Sequence, residues 1–165
     1  MADFTPEQRQ QYDDGVAKLL QRYPEDQKGA ALLPTLHLIQ DDILGWIPTW
    51  VMPIVAESLG IATVRVREVA TFYSMYHLEK PGEHLIEVCT NPACQVLGGE
   101  EVLKRICERY DVKPGHTSKD GKVTVEVVEC LGSCGTAPML AHNREYREEL
   151  TRAKLEKLFA EIEGN

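Results

Sequence analysis

Apolar residues in the first half of the chain recur at helical spacing. Thr5-Pro6-Glu7-Gln8 offers a capping residue, a proline at the first helical position and a Gln three residues after the Thr. Tyr12, Val16, Leu19, Leu20 and Tyr23 then share a face until Pro24 halts the run. The same periodicity predicts a second helix over 30–43, with Pro34 tolerated in its first turn, and a third over 50–59, ended by Gly60. Val66, Val69, Ala70, Tyr73 and His77 mark the face of a fourth, stopped by Lys80-Pro81-Gly82. Four short amphipathic helices with brief connections pack most simply as a bundle.

After Gly82 the period changes. Residues 84–89 form a short β-rich run, and 98–110 read as a helix with Val102, Leu103, Ile106 and Cys107 inward. A polar turn over 113–122 leads to Val123, Val125 and Val127 alternating with Thr124 and Glu126, the pattern of a half-buried strand. Residues 139–142 suggest another strand, and 145–150 a strand or turn. Leu155, Leu158, Phe159 and Ile162 form a closing helix capped by Thr151. The expected fold class is therefore an α+β chain in two parts, a helical bundle over 1–82 and a compact α/β domain over 83–165.

Composition changes this picture little. Of 165 residues, 43% are hydrophobic and 27% charged, which excludes a disordered or collagen-like chain. The net charge of −8 argues against a nucleic-acid partner. The N-terminus lacks the basic flank and apolar core of a secretory signal, and the most apolar stretch, 43–56, carries Pro48 and Pro53 and is too short to span a bilayer. A cytoplasmic location is expected, with membrane association only indirect, through a partner.

Cysteine changes the picture more. All five lie between positions 89 and 134. An odd, clustered set without a signal peptide fits metal or redox chemistry better than structural disulfides. Cys89 and Cys94 flank Thr90-Asn91-Pro92-Ala93, and Cys130 and Cys134 flank Leu131-Gly132-Ser133. Each pair starts where a predicted strand ends, so both loops can emerge at one end of one sheet. Thiolate sulfur suits iron–sulfur clusters and zinc alike. Loops this wide favour a two-iron cluster, since a lone zinc is more often held by tighter knuckles. Gly132, Gly135 and Gly98-Gly99 let backbone come close, and Glu129 beside Cys130 would lower a reduction potential if near. Zinc stapling of an interaction domain and redox thiols remain open on spacing alone.

The wording of the chain extends the argument. Tyr23-Pro24, Ala31-Leu32-Leu33-Pro34, Leu38-Ile39-Gln40 and Gly45-Trp46-Ile47-Pro48 precede Val69-Ala70-Thr71-Phe72-Tyr73, Val88-Cys89-Thr90-Asn91, Glu129-Cys130-Leu131-Gly132-Ser133-Cys134 and Ala137-Pro138-Met139. Nearly the whole chain thereby resembles the thioredoxin-like [2Fe–2S] ferredoxins, in particular the family of peripheral-arm E subunits of respiratory NADH:quinone oxidoreductase. The resemblance implies a thioredoxin-like domain whose Cys89, Cys94, Cys130 and Cys134 hold one [2Fe–2S] cluster. It implies a flavoprotein partner subunit that carries FMN and oxidises NADH, other peripheral-arm subunits beside it, and no hydride chemistry on this chain. The matching diaphorase subunit of an NAD-linked hydrogenase or formate dehydrogenase shares the loops and is the alternative. A thiol–disulfide oxidoreductase would fit the fold but lacks a Cys-x-x-Cys motif. Gly135-Thr136 and Pro92-Ala93 depart from the family's commoner wording without removing a ligand.

Plainer roles are expected for the other conspicuous side chains. Cys107 reads as a core thiol, His37 as a packed or capped histidine, and His84 and His142 as solvent-facing residues near the cysteine end. Trp46 and Trp50 read equally as core or as a docking knob, while Phe72, Tyr73 and Tyr76 read as core. Pro138 is a candidate cis-proline.

Overall fold

The computed structural model describes residues 3–164. Contacts divide the chain between Lys80 and Pro81 into two units. The first holds helices and, among its described residues, no strand. Helix α1 (Pro6–Leu20) begins with a complete capping box: Thr5 Oγ1 accepts the Gln8 N–H at 3.2 Å and Gln8 Oε1 accepts the Thr5 N–H at 3.0 Å. A 3₁₀ segment (Glu25–Ala31) runs into α2 (Leu32–His37), which continues as a π-helical turn (Leu38–Leu44) before α3 (Val51–Leu59) and α4 (Thr63–Phe72). Tyr12, Leu36, Ile39, Ile47, Val51, Val55 and Val66 are fully buried at the centre of this unit. The Tyr12 hydroxyl donates to Ser58 Oγ at 3.0 Å, tying α1 to α3 without leaving a buried donor unpaired.

Three expectations for this unit need correction. The helix expected over 30–43 is a succession of 3₁₀, α and π turns, and the wide π turn leaves both Ile39 and Gln40 buried. Helix α4 ends at Phe72, five residues before His77, because Tyr73 turns extended. The chain that follows is held instead by Gln40, whose Nε2 donates to Met75 O at 2.9 Å and whose Oε1 accepts the His77 N–H at 2.8 Å. Tyr76 is buried and its hydroxyl donates to Leu33 O, whereas Phe72, expected in the core, is 79% exposed. Trp50 packs edge-on to Phe4, its ring 5.0 Å away.

The second unit is a five-stranded sheet with helices α6 (Gly99–Tyr110) and α7 (Arg152–Glu163). Its strands are β1 (His84–Cys89), β2 (His116–Thr117), β3 (Val123–Val128), β4 (Leu140–His142) and β5 (Glu145–Arg147), in the order β2-β3-β1-β4-β5. Strands β1 and β3 are parallel and the other pairings antiparallel. Ile86, Val88, Val123, Val125 and Leu140 pack with Val102 and Ile106 of α6 and with Leu155, Leu158, Phe159 and Ile162 of α7, so one sheet face carries the core. The Thr151 side chain caps α7, accepting from Lys154 N.

The short edge strand β2 lies in the stretch read as a turn. Its two residues pair only with Thr124 and Val125, so the far end of β3 has no neighbour on that side. Val127, expected inward by alternation, is accordingly exposed, while Thr124 is buried and bonded to Thr117 Oγ1 and the Gly82 N–H. Cys107 is half-buried against the core, and burial pushes its thiol up, as expected of a packing residue. No helix among the described residues is long and apolar enough to cross a membrane.

Candidate metal centre

The parallel pairing of β1 with β3 brings the two cysteine loops together. Cys89, the last residue of β1, lies opposite Val128, the last of β3, and Cys130 follows two residues later. Backbone bonds join the strand ends: Thr90 N–H donates to Val128 O at 3.1 Å and Cys89 N–H to Met139 O at 3.3 Å. The first loop is wound into a short helix, α5 (Pro92–Val96), which the sequence pattern did not reveal; Pro92 starts it, and it turns Cys94 inward. Gly99 sits against this loop so tightly that a Cβ there would lie 2.9 Å from Cys94 O. Only glycine allows that approach.

The second loop leaves β3 through Gly132, which adopts a positive φ of 82° that a Cβ would disfavour. Gly135 is different: a Cβ there would meet open space, so the close approach expected of it is not its role. Tyr146 O–H donates to Leu131 O at 2.8 Å, and the Glu148 carboxylate accepts the hydroxyls of Ser133 and Thr136. These hydroxyls hold the Glu148 carboxyl below the usual carboxylate range. A cis peptide bond joins Ala137 to Pro138.

All four expected thiols meet here. Cys89 and Cys94 are buried, with Met139, Val128, Leu131 and Ala137 around them, whereas Cys130 and Cys134 are exposed. The sulfurs of Cys130 and Cys134 are 3.7 Å apart, and all five cysteines of the chain are free thiols. The Cys94 and Cys130 thiols both act on Cys89, so the two pairs lie near one another. Burial pushes the Cys89 thiol up, but backbone N–H groups of Asn91 and Leu131, with the Cys94 and Cys130 thiols, bring it below its ordinary value. Burial, followed by the neighbouring Cys89 thiol, raises Cys94. The bond to Cys130 raises Cys134 first of all. Gly132 N–H points at Cys130 Sγ at 3.3 Å. Four soft sulfur donors gathered at one place are satisfied together by a cationic centre that lets all of them be thiolates, so the donor set fits an iron–sulfur group.

The histidines lie elsewhere. His84 begins β1, at the opposite end from Cys89, and is buried; its Nδ1 lies 3.1 Å from Nε2 of His142. The expected place beside the cysteines is therefore wrong for both, because β1 runs its full length between them, and the expected solvent exposure is wrong for His84, whereas His142 is half-buried. His37 meets the Asp41 carboxylate at 3.3 Å and packs on Tyr76, as a packed histidine should. Glu129 is exposed, and it is its carbonyl that lies 3.8 Å from the Cys89 thiol.

Comparison with known proteins agrees with this geometry. Residues 16–163 match the family described as thioredoxin-like [2Fe–2S] ferredoxin. The E subunit of NADH-quinone oxidoreductase from Rickettsia felis is 40% identical over 148 residues, covering 89% of this chain and 88% of that one. NADH dehydrogenase (ubiquinone) flavoprotein 2, mitochondrial, of Dictyostelium discoideum is 39% identical over 150 residues, which are 91% of this chain but 61% of the length of that protein. Among solved structures, a chain of the NAD+-reducing [NiFe]-hydrogenase in the H2-reduced state superposes with a TM-score of 0.72 at 18% identity. The match covers 82% of this chain and 22% of that one, a likeness of fold alone. Matched over all but its ends, and aligned with relatives near 40% identity, this chain belongs to the thioredoxin-like [2Fe–2S] ferredoxin family.

Proposed function

We propose that this chain is the electron-carrying E subunit in the NADH-oxidising module of an NADH:quinone oxidoreductase, with one [2Fe–2S] cluster on Cys89, Cys94, Cys130 and Cys134. The meeting of four free thiols from two loops at one sheet end carries the reading. Relatives named as E subunits of NADH-quinone oxidoreductase support the choice of complex. When bound, the cluster supplies one-electron exchange with the FMN of a partner flavoprotein, where NADH is oxidised.

The residues of this chain hold and tune. Cys89 and Cys94 anchor the buried side, and Cys130 and Cys134 close the exposed side. N–H groups of Asn91, Leu131 and Gly132 aimed at sulfur stabilise added negative charge and raise the potential. Val96 and Leu97, exposed beside the first loop, give the partner an apolar edge close to the sulfurs. The helical part, expected over 1–82, serves as scaffold and docking surface. The chain works on the cytoplasmic side and reaches the membrane only through the assembled complex. The second reading, a diaphorase subunit, draws on the fold shared with the NAD+-reducing hydrogenase.

The test is to isolate the tagged chain with its native partners and add NADH. An FMN-bearing protein should co-purify, and the reduced [2Fe–2S] EPR signal should appear only in its presence. A hydrogenase or formate dehydrogenase subunit in the preparation would favour the second reading. A signal raised by NADH from this chain alone would overturn the division of chemistry.

A further inference from the structure

Ser133 and Thr136 flank Cys134 and Gly135, and one carboxylate grips both. Glu148, just past β5, accepts the Thr136 hydroxyl at 2.6 Å and the Ser133 hydroxyl, and the two hydroxyl oxygens lie 2.7 Å apart. Backbone bonds brace the same turn, from Thr136 N–H to Ser133 O at 3.1 Å and from Glu149 N–H to Thr136 O at 2.7 Å. Lys154 Nζ is spent on the Glu148 carbonyl, at 2.9 Å, and on the Glu149 carboxylate, at 3.5 Å. Arg147 Nη2 reaches Glu145 and Glu161, at 3.3 and 3.1 Å, while its Nε is buried without a partner. The Glu148 carboxylate faces the cysteine loop through Ser133 and Thr136, with the Lys154 charge also acting on it. Thr136 belongs to the Gly135-Thr136 pair that departs from the family's commoner wording, and Glu148 gives that departure a partner.

We propose that Glu148 is a positioning residue for Cys134: it clamps both ends of the turn that carries this sulfur and sets a negative charge beside it, slowing cluster loss and lowering the reduction potential. The inference rests on the cluster reading above. The clamp acts through charge-assisted hydrogen bonds, roughly twice as strong as neutral ones, and the potential shift follows from an anion near the added electron.

Five full-length chains, reconstituted anaerobically with iron and sulfide, decide it: wild type, Glu148→Ala, Glu148→Gln, the Ser133→Ala/Thr136→Val double variant, and that double variant with Glu148→Ala added. Glu148→Ala should lose iron to a chelator about tenfold faster than wild type. Glu148→Gln keeps an acceptor of the same shape, so it should restore retention and leave the EPR spectrum unchanged, yet show a higher midpoint potential. Adding Glu148→Ala to the hydroxyl double variant should accelerate loss no further, since the three groups act as one unit. Wild-type potential in Glu148→Gln, or fully additive losses, would overturn the proposal. Amide exchange of the metal-free chains at Thr136 and Glu149 reads the clamp without the cluster. A wild-type chain that took up no iron would defeat the cluster reading alone, and unchanged exchange in Glu148→Ala would still defeat the clamp.

Discussion

At the scale of single residues, the centre is made by side chains that differ in what they can lose. Cys130 is proposed to bind iron, whereas Cys107 only fills space between α6 and the sheet. Cys130→Ala should abolish or severely disrupt the visible spectrum of the loaded protein, and Cys107→Ala should leave it nearly unchanged; equal loss in both would refute the ligand set. The glycines divide in the same way. Gly99→Ala drives a Cβ into the Cys94 carbonyl and should cost about 1–3 kcal/mol in denaturant unfolding, with impaired iron retention. Gly135→Ala meets open space and should stay within about 0.5 kcal/mol of wild type. Both glycines stand out in the sequence, but only the fold distinguishes the crowded one from the free one, because the crowding comes from the Cys94 and Cys89 carbonyls.

At the scale of elements, the legible parts were those with one strong period. The capping box of α1, the strand over 84–89, α6 and the Thr151-capped α7 all follow from spacing and caps. What escaped depended on tertiary partners. Helix α5 is a single turn with no period to detect, β2 exists only because β3 offers an edge, and α4 stops where Gln40 takes over the chain. The histidine pair joining β1 to β4 was misread for the same reason. Burial first, and then the His84 ring and the Arg147 charge, hold His142 below the ordinary histidine range, against the opposite pull of Glu161 and Glu145. The unfolded chain therefore takes up this proton more readily than the folded one. The contribution to stability is full above about pH 6.5, the unfolded value, and is lost as pH falls toward the lower folded value. Urea midpoints should drop over that interval in wild type, and His142→Gln should flatten the drop; parallel curves would show that His142 does not take up a proton on unfolding.

At the scale of the whole molecule, the parallel neighbours β1 and β3 are what bring residues 89 and 130 together, and the thiols follow from that topology. The contact division between Lys80 and Pro81 leaves every proposed ligand in the second unit. Deleting residues 1–80 should accordingly spare iron and sulfide uptake while weakening binding to the flavoprotein partner in a pull-down. Full-strength binding by the shortened chain would contradict the docking role of the helical part. The most direct test of the central claim is metal and sulfide analysis of the anaerobically reconstituted chain alongside its visible spectrum. Two irons and two sulfides per chain, red-brown and bleaching on reduction, are predicted. A colourless protein holding one zinc, or one that never takes up iron and sulfide, would contradict it.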